Sequence, residues 1–330
     1  VEKFRRTQGL NLEKIKMSKV VMILGYPASS KGTHAEAYIA DGYVHLNRDK
    51  EGGKVVSLLP KMEEAINAGK DVVLDNLFPN IESRKPFVEL AHAMGVEISC
   101  DWMSTSLEDS QINALHRMWK RYGQLFLDPA SLKAASADVK KDSNMFPIVV
   151  LFKYRKEFEK PTTAEGFSVV NKIPFNRNYD ENYTNKAIFF DYDNTLRTNT
   201  GNGKYPVHPD EVVLMPGRKE KIKQLLDEGW LLLGVSNQAP IARKQLTEEN
   251  AIACFDRTNE LLEADIEVVY CPHSVPPSCY CRKPQSALGV YFIEKHKLDP
   301  RECIFVGDMT TDRTFASRLN IPFEYAKDFF

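Results

Sequence analysis

Two aspartates one residue apart, Asp191 and Asp193, stand in Phe190-Asp191-Tyr192-Asp193-Asn194-Thr195-Leu196, directly after an apolar run. Side chains at i and i+2 leave a strand on the same side, so both carboxylates can enter one pocket at its carboxyl end. The first can attack phosphorus and form an aspartyl-phosphate. The second can protonate the leaving alkoxide and then activate water. Three later segments, in order along the chain, supply what such a reaction needs. Ser236, in Val235-Ser236-Asn237-Gln238, can hydrogen-bond phosphoryl oxygens. Lys283, in Arg282-Lys283-Pro284, can neutralise the phosphoryl group and Asp191. Asp308, in Val306-Gly307-Asp308, can complete an oxygen-ligand magnesium site with Asp191 and the backbone carbonyl of Asp193, and Asp312 follows behind it. A capped loop with paired acids is the plain alternative for the aspartate pair alone. The four segments together argue against it.

Cys271-Pro272-His273 is followed by Cys279-Tyr280-Cys281. Three thiolates and one imidazole at this spacing suit tetrahedral zinc. The loop 271–281 has little apolar content, so a metal would fix it. It ends just before Lys283, which gives the zinc a structural part in the wall of the pocket. Reduced surface cysteines are the alternative. Cys100, Cys254 and Cys303 are isolated and read as core residues.

A second set of residues lies in the first half. Gly25-Tyr26-Pro27-Ala28-Ser29-Ser30-Lys31-Gly32-Thr33 falls between a strand pattern and a helix pattern. Backbone N–H groups at a helix start attract phosphate, and a lysine there balances its charge. Ser30 stands where such loops usually have glycine, and Gly32 stands where they usually have a hydroxyl residue, with Thr33 next. A Cβ at Ser30 would crowd a tight wrap, so a structural turn stays open. Asn47-Arg48-Asp49 follows where a second strand ends, and Asp75 ends the next strand, where it could orient magnesium or its water or simply cap a helix. Arg117 and Arg121, on a helical stretch, could clamp transferring phosphoryl charge or be solvated.

The elements that must position these residues alternate along 330 residues, enough for two domains. Strands are expected at Ser18–Leu24, Asp71–Asp75, Gly95–Cys100, Lys186–Phe190, Leu231–Val235, Ile266–Tyr270 and Cys303–Val306, with helical patterns such as Leu58–Ala68 and Arg84–Met94 between. This alternation means parallel sheets covered by helices on both faces. Residues 1–16 read as an N-terminal extension, 17–173 as a first domain, 174–185 as a polar linker and 186–330 as a second domain. Apolar residues make up 43% of the chain, which excludes disorder as its main state. Runs such as Val20–Leu24 are far too short to span a membrane. No secretion signal is visible, so an intracellular site, cytoplasmic or nuclear, is expected. The net charge is -1, but residues 114–160 hold 10 basic and 5 acidic side chains. That local excess suits a polyanion or a solvated helix face.

The Lys-Gly-Thr at 31–33 resembles the loop of adenylate kinases. Val44 to Asp49, Tyr154-Arg155-Lys156-Glu157-Phe158-Glu159, Pro161-Thr162 and Ala164-Glu165-Gly166-Phe167 resemble the kinase domain of polynucleotide kinase-phosphatases. That resemblance, over about 18–175, implies ATP and magnesium at Gly25, Ser30, Lys31, Gly32 and Thr33, phosphate contacts from Arg117 and Arg121, and Asp49 as the base that activates a 5′-hydroxyl. Residues 186–330 resemble haloacid-dehalogenase-type phosphatases. The tail, with Leu319-Asn320-Ile321-Pro322-Phe323 and Asp328-Phe329-Phe330, is similar to that of polynucleotide 3′-phosphatases. The Cys/His loop instead resembles that of histidinol-phosphate and heptose-bisphosphate phosphatases, and Asn194 replaces the commoner glycine. The implied fold is α/β, with two doubly wound parallel-sheet domains, P-loop kinase-like and then haloacid-dehalogenase-like. The implied function is healing of DNA or RNA ends: ATP-dependent 5′-phosphorylation and 3′-phosphate removal, leaving ends for a ligase, a candidate partner. Two other readings stand beside it. One is a small-molecule phosphatase fused to a metabolite kinase. The other is a 3′-phosphatase whose first domain only binds nucleic acid.

Overall fold

The computed structural model describes residues 18–201, 203–274 and 279–330. The expected extension 1–16, and part of the expected zinc loop, lie outside these residues. The chain forms two compact units. The first gathers residues up to Gly25 with Ser30–Ser104 and Glu157–Pro174. The second gathers Tyr26–Ser29, Thr105–Lys156 and Phe175–Phe330. This division does not follow the expected boundaries. Most of the basic stretch 114–160, read from sequence with the first half, and the polar residues 175–185 belong to the second unit.

The first unit holds a five-stranded sheet of β1 (Lys19–Leu24), β2 (Val44–Leu46), β3 (Val72–Asp75), β4 (Glu97–Met103) and β5 (Val170–Ile173), in the order β2-β3-β1-β4-β5. All its pairings are parallel. Val20, Met22 and Leu24 pack into one apolar cluster, while Val21 and Ile23 pack into another. Because both faces are covered, these strands read as unbroken apolar runs. β1 lies between β3 and β4, so the chain passes from one side of β1 to the other between those two strands. Such a reversal opens a crevice at the strand's carboxyl end, where Gly25 begins the loop.

The second unit repeats the plan. Strands β6 (Ala187–Phe190), β9 (Leu231–Asn237), β10 (Glu267–Cys271), β11 (Ile304–Gly307) and β12 (Phe323–Tyr325) form a parallel sheet in the order β10-β9-β6-β11-β12. A two-stranded antiparallel ribbon, β7 (Arg197–Asn199) with β8 (Val212–Leu214), follows β6. Again the central strand, β6, is flanked by strands from opposite crossovers, and Asp191 stands at its end. Phe189 stacks on Phe305 at 6.2 Å, and Phe305 meets Phe315 edge-on at 5.3 Å. Burying each such ring contributes roughly 1.5–3 kcal/mol. The same cluster takes in Leu115, Met118, Phe146 and Leu151 from the 105–156 segment. That apolar face explains why the segment stays with the second sheet.

The two helices expected at 58–68 and 84–94 are present at Leu59–Asn67 and Ile81–Ala93. The second begins earlier because Asn80 and Ser83 form a reciprocal cap. No helix among the described residues is long and apolar enough to cross a membrane.

Candidate active site and metal centres

Asp191 directly follows β6, with its backbone N–H donated to Val306 O at 3.0 Å. Its Oδ1 accepts from Lys283 Nζ at 2.7 Å. The same ammonium donates to Asp312 Oδ1 at 2.8 Å and to Val235 O at 2.8 Å. All three side chains are buried. Burial alone would lower the Lys283 pKa, but Asp191 and Asp312 more than offset it, so the lysine stays charged. Burial pushes Asp191 upward, against the pull of Lys283, and the neighbouring carboxylates Asp312 and Asp193 add to the rise.

Asp193 is held by two donors. Arg197 Nε reaches its Oδ1 at 2.9 Å, and Gln238 Nε2 reaches its Oδ2 at 3.0 Å. Gln238 also donates to Ser236 Oγ at 2.9 Å, which ties the end of β9 to the acid pair. Asn194 adopts φ 62°, in the left-handed region. Asparagine is the non-glycine residue that tolerates it best, which explains how it replaces glycine in this turn. Asn237 pins Lys283 by two bonds, its Oδ1 accepting the Lys283 N–H at 2.9 Å and its Nδ2 donating to Lys283 O at 3.1 Å. Gly234 lets the Tyr192 ring lie against β9, since a Cβ there would lie 2.5 Å from it.

Asp308 Oδ1 is buried and has no hydrogen-bond partner. Oxygens of Asp191, Asp308 and Asp312 lie within 4.8 Å of one another. An orphaned buried carboxylate oxygen beside two others is a site a hard cation satisfies. Asp312 is already engaged: besides Lys283, its Oδ2 accepts the Met309 N–H at 3.1 Å. It therefore backs the cluster. A Cβ on Gly307 would approach it at 2.7 Å.

Cys271, His273, Cys279 and Cys281 also converge, with one donor atom from each within 4.8 Å of the others. Cys271 Sγ lies 3.8 Å from Cys279 Sγ, and His273 Nδ1 lies 3.5 Å from Cys271 Sγ and 3.3 Å from Cys281 Sγ. Tetrahedral zinc with ordinary bond lengths would set sulfur–sulfur edges of about 3.8 Å and sulfur–nitrogen edges of about 3.5 Å. The donor set fits zinc. The six cysteines are all free thiols.

In the first unit, Lys31 opens the helix Lys31–Ala40 and its Nζ donates to Gly25 O at 3.2 Å across the loop. Ser30, just before it, has φ 67°, the conformation glycine adopts without strain. Thr33 is exposed in the first turn. Gly32 faces Asp75, and a Cβ there would lie 3.8 Å from Asp75 Oδ2. Asn47 donates to Asp75 O at 2.7 Å and caps the short helix Arg48–Glu51, which carries Asp49. Asp49 is exposed and paired with Arg48 Nη2 at 2.5 Å. Arg117 and Arg121 lie in the second unit, where Arg117 donates to Asn144 at 2.5 Å and Arg121 pairs with Asp142 at 3.0 Å.

Arg197, Asn237 and Gln238 were missed in the sequence. Gln238 and Asn237 follow Ser236 directly, which was the only signal they offered. A buried Asp101 was missed as well. His34 and Tyr38, one turn apart on the helix after the loop, each lie 2.7 Å from its Oδ2. Burial would raise its pKa, but hydrogen bonds from His34, Asn171 and Tyr38 hold it below the usual carboxylate range.

Residues 186–330 match the family described as polynucleotide kinase 3 phosphatase. The probable D-glycero-D-manno-heptose-1,7-bisphosphate 7-phosphatase of Thermoplasma volcanium is 32% identical over 42% of this chain and 96% of its own length. The chain belongs to the haloacid-dehalogenase-type phosphatases. This phosphatase is also 28% identical to the bifunctional polynucleotide phosphatase/kinase of Schizosaccharomyces pombe, over 50% of its own length and 36% of that enzyme. The crystal structure of a D,D-heptose 1,7-bisphosphate phosphatase from B. bronchiseptica, complexed with magnesium and phosphate, is 24% identical over 42% of this chain and 79% of that one, with a TM-score of 0.38.

Proposed function

We propose that this phosphatase removes 3′-phosphates from nucleic-acid ends, and that the first unit phosphorylates 5′-hydroxyls with ATP. The observation that carries the phosphatase half of the reading is the match of residues 186–330 to the polynucleotide 3′-phosphatase family. The likeness to the Schizosaccharomyces pombe enzyme supports the pairing of the two activities. A strand-to-helix phosphate loop with Lys31 held across it supports ATP binding at Gly25, Ser30, Lys31, Gly32 and Thr33.

In the phosphatase reaction, Asp191 attacks phosphorus while Asp193 gives its proton to the departing 3′-oxygen. The P–O bond breaks and an aspartyl-phosphate remains. Asp193, once ionised, takes a proton from water, which attacks the same phosphorus and frees Asp191 and phosphate. The contacts from Arg197 and Gln238 hold the Asp193 carboxyl in place for both proton transfers. Ser236 and Lys283 hold the phosphoryl oxygens, and Lys283 opposes the burial that pushes the Asp191 carboxyl upward. Asp191, Asp308 and the Asp193 carbonyl would hold magnesium, which supplies positive charge against the phosphoryl oxygens. Cys271, His273, Cys279 and Cys281 would hold a structural zinc. In the kinase reaction, Asp49 would accept the 5′-hydroxyl proton, which requires its side chain to leave Arg48.

A second reading rests on the same Cys/His cluster and on the 32% identity to a heptose-bisphosphate phosphatase. In it, the substrate is a small sugar phosphate. The two readings separate on kcat/KM. A 3′-phosphorylated oligonucleotide is expected to exceed a heptose or amino-alcohol phosphate by at least about 100-fold, the discrimination that a few polar contacts to the correct substrate can supply. The opposite order would place the enzyme among metabolite phosphatases.

A further inference from the structure

The Cys/His loop is held from outside by the 105–156 segment, at three points. His273 Nε2 lies 2.7 Å from Asp128 Oδ2. The Tyr280 N–H donates to Leu127 O at 2.7 Å, and its hydroxyl donates to Phe146 O at 3.1 Å. Tyr280 is fully buried between Cys279 and Cys281. All these residues belong to the second unit, yet Asp128 lies outside residues 186–330, to which the phosphatase family matches.

We propose that Asp128 is the positioning residue for zinc at Cys271, His273, Cys279 and Cys281, which rests on the reading of that cluster as a zinc site. His273 presents Nδ1 to the sulfurs, so Nδ1 is the nitrogen that must carry a free lone pair. The proton then has to sit on Nε2, and Asp128 Oδ2 is there to accept it. A carboxylate in this place fixes the tautomer, stops rotation of the ring and makes Nδ1 a stronger donor to the metal. Asp128 is itself held in place. Its Oδ1 caps the helix Pro129–Ala134 by accepting the Ser131 N–H at 2.7 Å. Each oxygen thus has one task. The effect reaches the chemistry because Cys281 is two residues from Lys283, whose backbone is bonded to Asn237. A phosphatase of this fold has therefore taken an outer contact to its metal loop from a part of the chain that precedes its own sheet.

Asparagine at 128 separates the two tasks. Its single carbonyl oxygen can cap Ser131, as asparagine does well, but its NH2 then faces the His273 Nε2–H. Both side chains are partly exposed, at 30% for His273 and 21% for Asp128, so water screens part of the loss. The test uses the full chain stripped of metal, with zinc affinity read by competition against a chromophoric chelator. Wild type is expected to bind one zinc, and Asp128→Asn to bind it about 10- to 100-fold more weakly. The melting temperature of the zinc-free chain should be unchanged. Ser131→Ala, which removes the reciprocal hydroxyl of the same cap, should bind zinc like wild type. Equal affinity in Asp128→Asn and wild type would overturn the role of Asp128 and leave the zinc reading standing. Equal losses in Asp128→Asn and Ser131→Ala would assign the effect to the helix cap and overturn it too. A wild-type chain that takes up no zinc would overturn both.

Discussion

Replacing Asp191 by asparagine is expected to abolish phosphate release, with a loss on the order of 10⁴-fold or more, because an amide cannot form the acyl-phosphate bond. The substitution keeps size and shape. It also leaves Lys283 with the Asp312 carboxylate and the Val235 carbonyl. Two buried carboxylates on one ammonium become a matched pair, so the variant is expected to melt within a few degrees of wild type. Activity and stability therefore come apart at this residue. Release of phosphate from a 3′-phosphorylated oligonucleotide, followed beside a thermal melt, measures both. An Asp191→Asn protein that keeps turnover within tenfold of wild type would remove the nucleophile from the scheme.

Lys31→Ala is expected to lower ATP-dependent phosphorylation of a 5′-hydroxyl by on the order of 10²- to 10³-fold, the usual cost of losing one preorganised charge at a transferring phosphoryl group. Phosphatase turnover should not change. Lys31 is buried, and its head spans the loop to Gly25 O, which in the proposed function is the phosphate-binding loop. Asp49→Ala should lower the same transfer and leave ATP binding intact, since Asp49 is exposed on its short helix and its proposed task is proton acceptance. Transfer of labelled γ-phosphate to an oligonucleotide measures the chemical step, and equilibrium binding of ATP separates it from affinity. A wild-type chain that binds nucleic acid but transfers no phosphate would favour a first unit that only delivers substrate. The left-handed Ser30 and the Arg48–Asp49 pair are the features that such a reading would use.

Much of the fold was legible in the sequence, for a physical reason. Strands covered on both faces appear as unbroken apolar runs, so β1, β3, β6, β9 and β11 stood out. Residues at their carboxyl ends, such as Asp191 and Asp308, could then be placed without knowing the packing. Short edge strands carry less of that pattern. β5 (Val-Asn-Lys-Ile) and β12 (Phe-Glu-Tyr) are half polar because fewer neighbours cover them, and they were not foreseen. Arg197, Asn237 and Gln238 act by holding other side chains, and that work depends on distances that no spacing encodes. The placing of 105–156 in the second compact unit was not legible for a similar reason. Its basic residues drew attention, but Leu115, Met118, Phe146 and Leu151 decide where it packs. Asp128 follows from that packing and from nothing in its own neighbourhood of sequence.

In the proposed function one chain performs two opposite phosphate chemistries on nucleic-acid ends. Mass spectrometry of a single oligonucleotide bearing a 5′-hydroxyl and a 3′-phosphate tests it most directly, after incubation with the protein and magnesium, with and without ATP. The account predicts loss of the 3′-phosphate in both reactions and gain of a 5′-phosphate only with ATP. An oligonucleotide unchanged at both ends, under conditions where a small sugar phosphate is hydrolysed, would contradict it.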